Sequence, residues 1–105
     1  MVLVDTSVWI EVFRRPSRFD LGSVADLDEV VTCLPVIQEI LQGFREEHSF
    51  RIAREAMFAL PLLESSLSRE IFEEAVQLYR AARRAGITVR SSVDCLIAAC
   101  AIRQA

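Results

Sequence analysis

The sequence predicts an α/β fold, a short parallel sheet flanked by helices, in a single domain spanning residues 1–105. Short apolar runs suited to buried strands alternate with segments of helical periodicity, the pattern of βαβ units. About half of the residues, 52%, are hydrophobic, enough to build a core. No run reaches the roughly 18 uninterrupted apolar residues of a membrane span. The start, MVLVDTSVW, has neither the basic region nor the cleavage site of an export signal. A cytoplasmic protein without membrane contact is the expectation.

Val2–Val4 reads as a strand buried on both faces. After DTS, the apolar positions Val8, Trp9, Val12 and Phe13 recur at helical spacing. RRPSRFDLGS is a loop leading to a short helix around Val24–Leu27, and Glu29–Leu34 forms a second strand. Pro35 opens the next helix at its favoured first position, with a stripe of Val36, Ile37, Ile40, Leu41 and Phe44. Ser49–Leu60 continues as a helix and PLLES supplies a third strand. Ser68–Ala85 carries the clearest pattern. Its stripe is Ile71, Phe72, Ala75, Val76, Leu78, Tyr79 and Ala82, with acids at the start, arginines at the end and Gly86 as C-cap. A last helix begins near Ser91; apolar all round, it reads as buried.

The charge balance, −3, creates no global positive field for nucleic acid. All twelve basic residues are arginine. A chain without lysine has no Walker lysine, no Schiff base and no lysine partner for the aspartates of receiver domains or dehalogenase-like phosphatases. Arginine still binds phosphate in bidentate fashion. Arg14, Arg15 and Arg18 cluster in a loop beside the end of the first strand and are candidate phosphate contacts; Arg80, Arg83 and Arg84 equally suit a solvated helix end. The three cysteines, Cys33, Cys95 and Cys100, have no metal-ligand spacing and read as buried thiols. His48, the single histidine, reads as an exposed residue near a helix end.

Three carboxylates stand out. Asp5 lies where the first strand ends, at the sheet edge where open α/β folds bind ligands; it also suits an N-cap, a task that Thr6 or Ser7 can share. Glu39 lies beyond the first turn of its helix, with no intrahelical ion-pair partner and with Gly43 one turn on; a solvated face is its alternative. Asp94 sits in an apolar helix start, where a buried charge requires a partner; a capping box with Ser91, or pairing with Arg90, would provide one. Were the three to converge at one sheet edge, they would repel unless a cation joined them, and oxygen-only ligands select Mg2+ or Mn2+. Such a cation suits phosphodiester hydrolysis.

With these residues the sequence resembles the PIN-domain family, in particular the VapC-type toxins of toxin–antitoxin pairs. VLVDTSVWIEVF is similar to the family's first strand and helix, PVIQEILQGFR to its Pro-x-x-x-Glu-x-x-x-Gly helix, and GITVRSSVDCLIAACAI to the segment of its third acid. The resemblance implies a PIN-like α/β/α sandwich and a Mg2+-dependent endoribonuclease, with Mn2+ as an alternative ion. It implies that Asp5, Glu39 and Asp94 bind the metal and that Ser7, or secondarily Thr6, adds a hydroxyl. The implied partners are an RNA substrate such as tRNA or ribosomal RNA, a VapB-type antitoxin, and a second copy in a homodimer. The family pattern continues into a strand with a fourth acid, so by this comparison the chain is C-terminally truncated and its first strand an exposed edge. The alternative is a catalytically silent interaction module that binds an antitoxin or another chain without cutting RNA.

Overall fold

Val2–Leu3 (β1) runs parallel to Val30–Cys33 (β2), with Val2 opposite Val30 and Leu3 opposite Val31. The computed structural model describes residues 1–14 and 20–104. Among them, β1, β2 and Leu62–Leu63 (β3) form a three-stranded parallel sheet in the order β1-β2-β3, accompanied by five α-helices. The predicted α/β class is the observed one. The residues gather into two compact units, Met1–Leu62 and Leu63–Ala105.

In the first unit β2 is the buried strand. Val30, Thr32 and Cys33 are all but inaccessible, and the Thr32 amide donates to the Pro61 carbonyl at 3.0 Å. β1 departs from the expectation of burial on both faces. As the edge strand it leaves Val2 38% exposed, and burial begins only at Val4. Thr6–Phe13 (α1) follows directly, with Trp9 inward. Leu34–Leu41 (α2) buries Pro35, Val36, Ile37 and Ile40. Proline stands second in this helix rather than first, still within the turn whose amides need no intrahelical acceptor. Burial of each large aliphatic side chain contributes roughly 1.5–3 kcal/mol. Glu47–Phe58 (α3) buries Ala53 and Met57, four residues apart on one face, and α2 packs against both α1 and α3.

No helix spans Val24–Leu27. Two short 3-10 turns, Leu21–Ser23 and Leu27–Glu29, flank it instead, each nucleated by an aspartate. Asp20 accepts from the Gly22 amide at 3.1 Å and Asp26 from the Asp28 amide at 3.0 Å. These local bonds start two separate turns where one helix was expected. Val24 and Leu27 point outward.

In the second unit Arg69–Arg84 (α4) packs on Ser92–Arg103 (α5). Ser68 caps α4 by accepting from the Ile71 amide at 3.3 Å. The helix ends in a Schellman motif: Gly86, at φ 77°, donates its amide to Arg83 and Ile87 donates to Ala82. The predicted α4 stripe is only half buried, because Ile71 and Ala75 face inward while Phe72 and Val76 are about half exposed. α5 is likewise not buried all round. Cys95, Ala99 and Cys100 form its buried face, whereas Asp94, Ala101 and Ile102 are exposed. Packing against α4 covers one side of α5, so uniform apolarity did not mean uniform burial within this unit. Cys33, Cys95 and Cys100 are all buried. Among the described residues, no helix is long and apolar enough to cross a membrane.

Candidate active site

The chain leaves β1 through Val4 and turns into α1 at Asp5, whose extended backbone and side chain make it the N-cap. Its Oδ2 accepts from the Ser7 amide at 3.2 Å and from the Ser7 hydroxyl at 2.6 Å. The capping task that Thr6 or Ser7 was expected to share therefore falls to Asp5. The residue remains exposed, so capping and ligand binding are compatible. The Ser7 hydroxyl holds the Asp5 carboxyl below its ordinary value; partial burial opposes this, and the Ser7 and Thr6 amides assist it. Asp5 is thus held as a carboxylate.

Thr6, next in the chain, points elsewhere. Its Oγ1 donates to Glu39 Oε1 at 2.9 Å, tying the first turn of α1 to the middle of α2. Glu39 is half-buried, and its second oxygen makes no hydrogen bond among the described residues. Glu39 thus lies between the buried and the solvated faces of α2. Asp5 and Glu39 are therefore bracketed by the consecutive hydroxyls of Ser7 and Thr6, one on each acid. The family resemblance implied Ser7 ahead of Thr6 as a site hydroxyl; the cross-helix bond of Thr6 had no sequence signal beyond an adjacent polar side chain at a strand end.

Asp94 occupies the first turn of α5, in the second unit. The capping box expected there does not form. Ser91 caps the helix by accepting from the Val93 amide at 3.2 Å, and among the described residues of its unit the Asp94 carboxylate has no hydrogen-bond or ion-pair partner. Asp94 is exposed, so the expected burial does not account for its position; its charge there favours the helix N-terminus. Arg14 follows α1, exposed and 3.4 Å from Glu11; Arg15 and Arg18 lie outside the described residues. His48, in α3, is exposed.

The five ion pairs among the described residues use other acids: Glu29, Glu11, Glu47, Glu73 and Glu74. Among the described residues of its own unit, none of Asp5, Glu39 and Asp94 has a cationic partner. Within either unit, no three His, Cys, Asp or Glu side chains among the described residues gather tightly enough to hold a metal together. The side-chain donors that Asp5, Ser7, Thr6 and Glu39 offer are nonetheless all oxygen, one carboxylate is held ionised, and no arginine among the described residues pairs with either acid. That donor chemistry fits a hard divalent cation.

A profile of the PIN domain matches residues 2–105, nearly the whole chain. The chain belongs to the PIN-domain family. Two curated relatives are similar to this PIN domain. VapC ribonuclease Mb1587 of Mycobacterium bovis and ribonuclease VapC11 of Mycobacterium tuberculosis are each 39% identical to it over an alignment 113 positions long. The alignments cover 98% of this PIN domain and 80% of each relative. The three motifs from which the sequence was likened to the family thus belong to a similarity that extends through both units.

Proposed function

We propose that this PIN-domain protein is a VapC-like, Mg2+-dependent endoribonuclease that hydrolyses RNA phosphodiester bonds and is neutralised by a VapB-type antitoxin. A cytoplasmic homodimer is the form in which it acts. The observation that carries this reading is the pairing of consecutive hydroxyls with two acids, Ser7 on Asp5 and Thr6 on Glu39, at the end of β1. Relatives named as ribonucleases support it.

Asp5, Glu39 and Asp94 would hold the cation, with Mn2+ able to take the place of Mg2+. When bound, that ion supplies Lewis-acid stabilisation of charge developing on the phosphodiester. The chain's own residues do the rest. Ser7 keeps Asp5 ionised and fixed in orientation. Thr6 holds one Glu39 oxygen in place while the other stays available. Arg14, with Arg15 and Arg18, supplies guanidinium groups for RNA phosphates, in a protein whose net charge alone would repel RNA. tRNA or ribosomal RNA is the proposed substrate.

The test is incubation of the purified protein with total RNA and Mg2+ or Mn2+. Cleavage abolished by EDTA and by Asp5→Asn is expected. Cleavage indifferent to both would refute the metal-acid reading. Antitoxin binding without any cleavage would favour a silent interaction module instead.

A further inference from the structure

Beside Glu39, α1 and α2 enclose an open hollow of about 280 Å3. Ile10, Phe13, Arg14, Glu39, Ile40 and Phe44 line it. Phe13 and Phe44 meet edge to face, with centroids 6.0 Å apart at 78°. Phe13 also stacks on the buried Trp9 at 6.1 Å and 26°, which anchors the pair to the core. Ile10, 49% exposed, adds an apolar wall, and Arg14 stands at the rim. Its contact with Glu11 joins two substantially exposed side chains, so the guanidinium is readily surrendered to a stronger anion.

We infer that this hollow is a base-binding subsite, taking the nucleobase of an unpaired RNA nucleotide next to the scissile phosphate while Arg14 holds a neighbouring phosphate. The inference rests on the ribonuclease reading and deepens it. Three features favour a base over an aliphatic side chain from a protein. Aromatic rings with an adjacent arginine are the combination that binds single-stranded nucleic acid. Glu39 belongs both to the hollow and to the proposed cleavage site, so an occupant reaching from that site enters here. A base also presents N–H groups along its edge to the Glu39 carboxylate, whereas an aliphatic group would strip water from a charge and return no hydrogen bond. The small volume suits one ring system rather than a larger ligand.

The test uses the whole protein and a short fluorescent single-stranded RNA. Affinity is read by anisotropy in EDTA, and cleavage separately with Mg2+. Bases are removed one at a time from the RNA. One abasic position is expected to weaken binding about fivefold or more, and the same lesion to have no further effect in Phe44→Leu. Ile10→Ser, on an exposed wall, provides a second variant should Phe44→Leu fold poorly, and circular dichroism checks both. Arg14→Ala should reduce the slope of log affinity against log salt by about 0.7. Uniform affinity across the abasic series, unchanged in both variants, overturns the subsite and points to an apolar protein segment as occupant. Base-sensitive binding without cleavage keeps the subsite and overturns the ribonuclease reading. Absence of RNA binding overturns both.

Discussion

Thr6 donates to Glu39 at 2.9 Å across 33 residues of sequence, and the residues on either side of Thr6 form a second bond of the same kind, Ser7 to Asp5. The first turn of α1 therefore orients two acids with two hydroxyls. A half-buried carboxylate swings and draws water if its donor is lost, so each bond has a consequence for geometry as well as stability.

Thr6→Val keeps the shape of the side chain and deletes the donor. The expected loss of stability is about 1 kcal/mol in urea denaturation. If Glu39 helps to hold a cation, metal-dependent cleavage should fall roughly 10–100-fold, as when an orienting partner of a ligand is lost. Thr6→Ser should restore most of both. Full activity in Thr6→Val would show that the orientation of Glu39 is irrelevant to the reaction.

Ser7→Ala tests how Asp5 is kept ionised. The Ser7 hydroxyl is the largest influence lowering the Asp5 pKa, so the variant should shift it upward in an NMR titration. The sign of the linked stability follows. A carboxyl with a depressed folded-state pKa stabilises the fold above its unfolded value of about 3.9, and that contribution disappears as pH falls through the folded value. Native protein and Ser7→Ala should thus differ most near neutrality and converge in acid. A difference that widens on acidification would contradict the assignment.

Much of this fold was legible because its signals are local. The Ser68 cap, the terminal arginines and Gly86 delimited α4, and Pro35 marked the start of α2. Glu39 was legible as a residue without an intrahelical use. What escaped depends on contacts distant in sequence. Nothing near Thr6 announces that Glu39 will accept its hydrogen bond, and nothing near Phe13 announces Phe44. The apolar composition of α5 implied burial, but only packing decides which side is covered, and Asp94 fell on the exposed side. Two aspartates spaced to cap separate turns divided a segment that hydrophobicity alone would have made one helix.

Exposure makes Asp94 an informative position. Its carboxylate has no partner among the described residues of its unit, so Asp94→Asn should lose only its interaction with the helix dipole, about 0.3–1 kcal/mol. A proposed metal-holding acid should nonetheless lose nearly all Mg2+-dependent cleavage and weaken Mn2+ binding measured by calorimetry. Native cleavage and native Mn2+ affinity in the variant would remove Asp94 from the site.

Thr32 offers a prediction about the scaffold that does not involve catalysis. It lies in the central strand β2, fully buried, with its amide bonded to Pro61 but its hydroxyl without a partner among the described residues. Burying an unsatisfied hydroxyl costs about 1–3 kcal/mol. Valine has nearly the same shape, suits a strand equally and leaves the amide bond intact. Thr32→Val should therefore stabilise the protein by about 1 kcal/mol, raising the thermal midpoint by roughly 4–8 °C for a domain of this size. Cleavage should be unaffected, because Thr32 touches none of the proposed acids through its hydroxyl. A stability loss of similar size would mean that the hydroxyl is satisfied in solution, and would make Thr32 a structural donor rather than a cost of the fold.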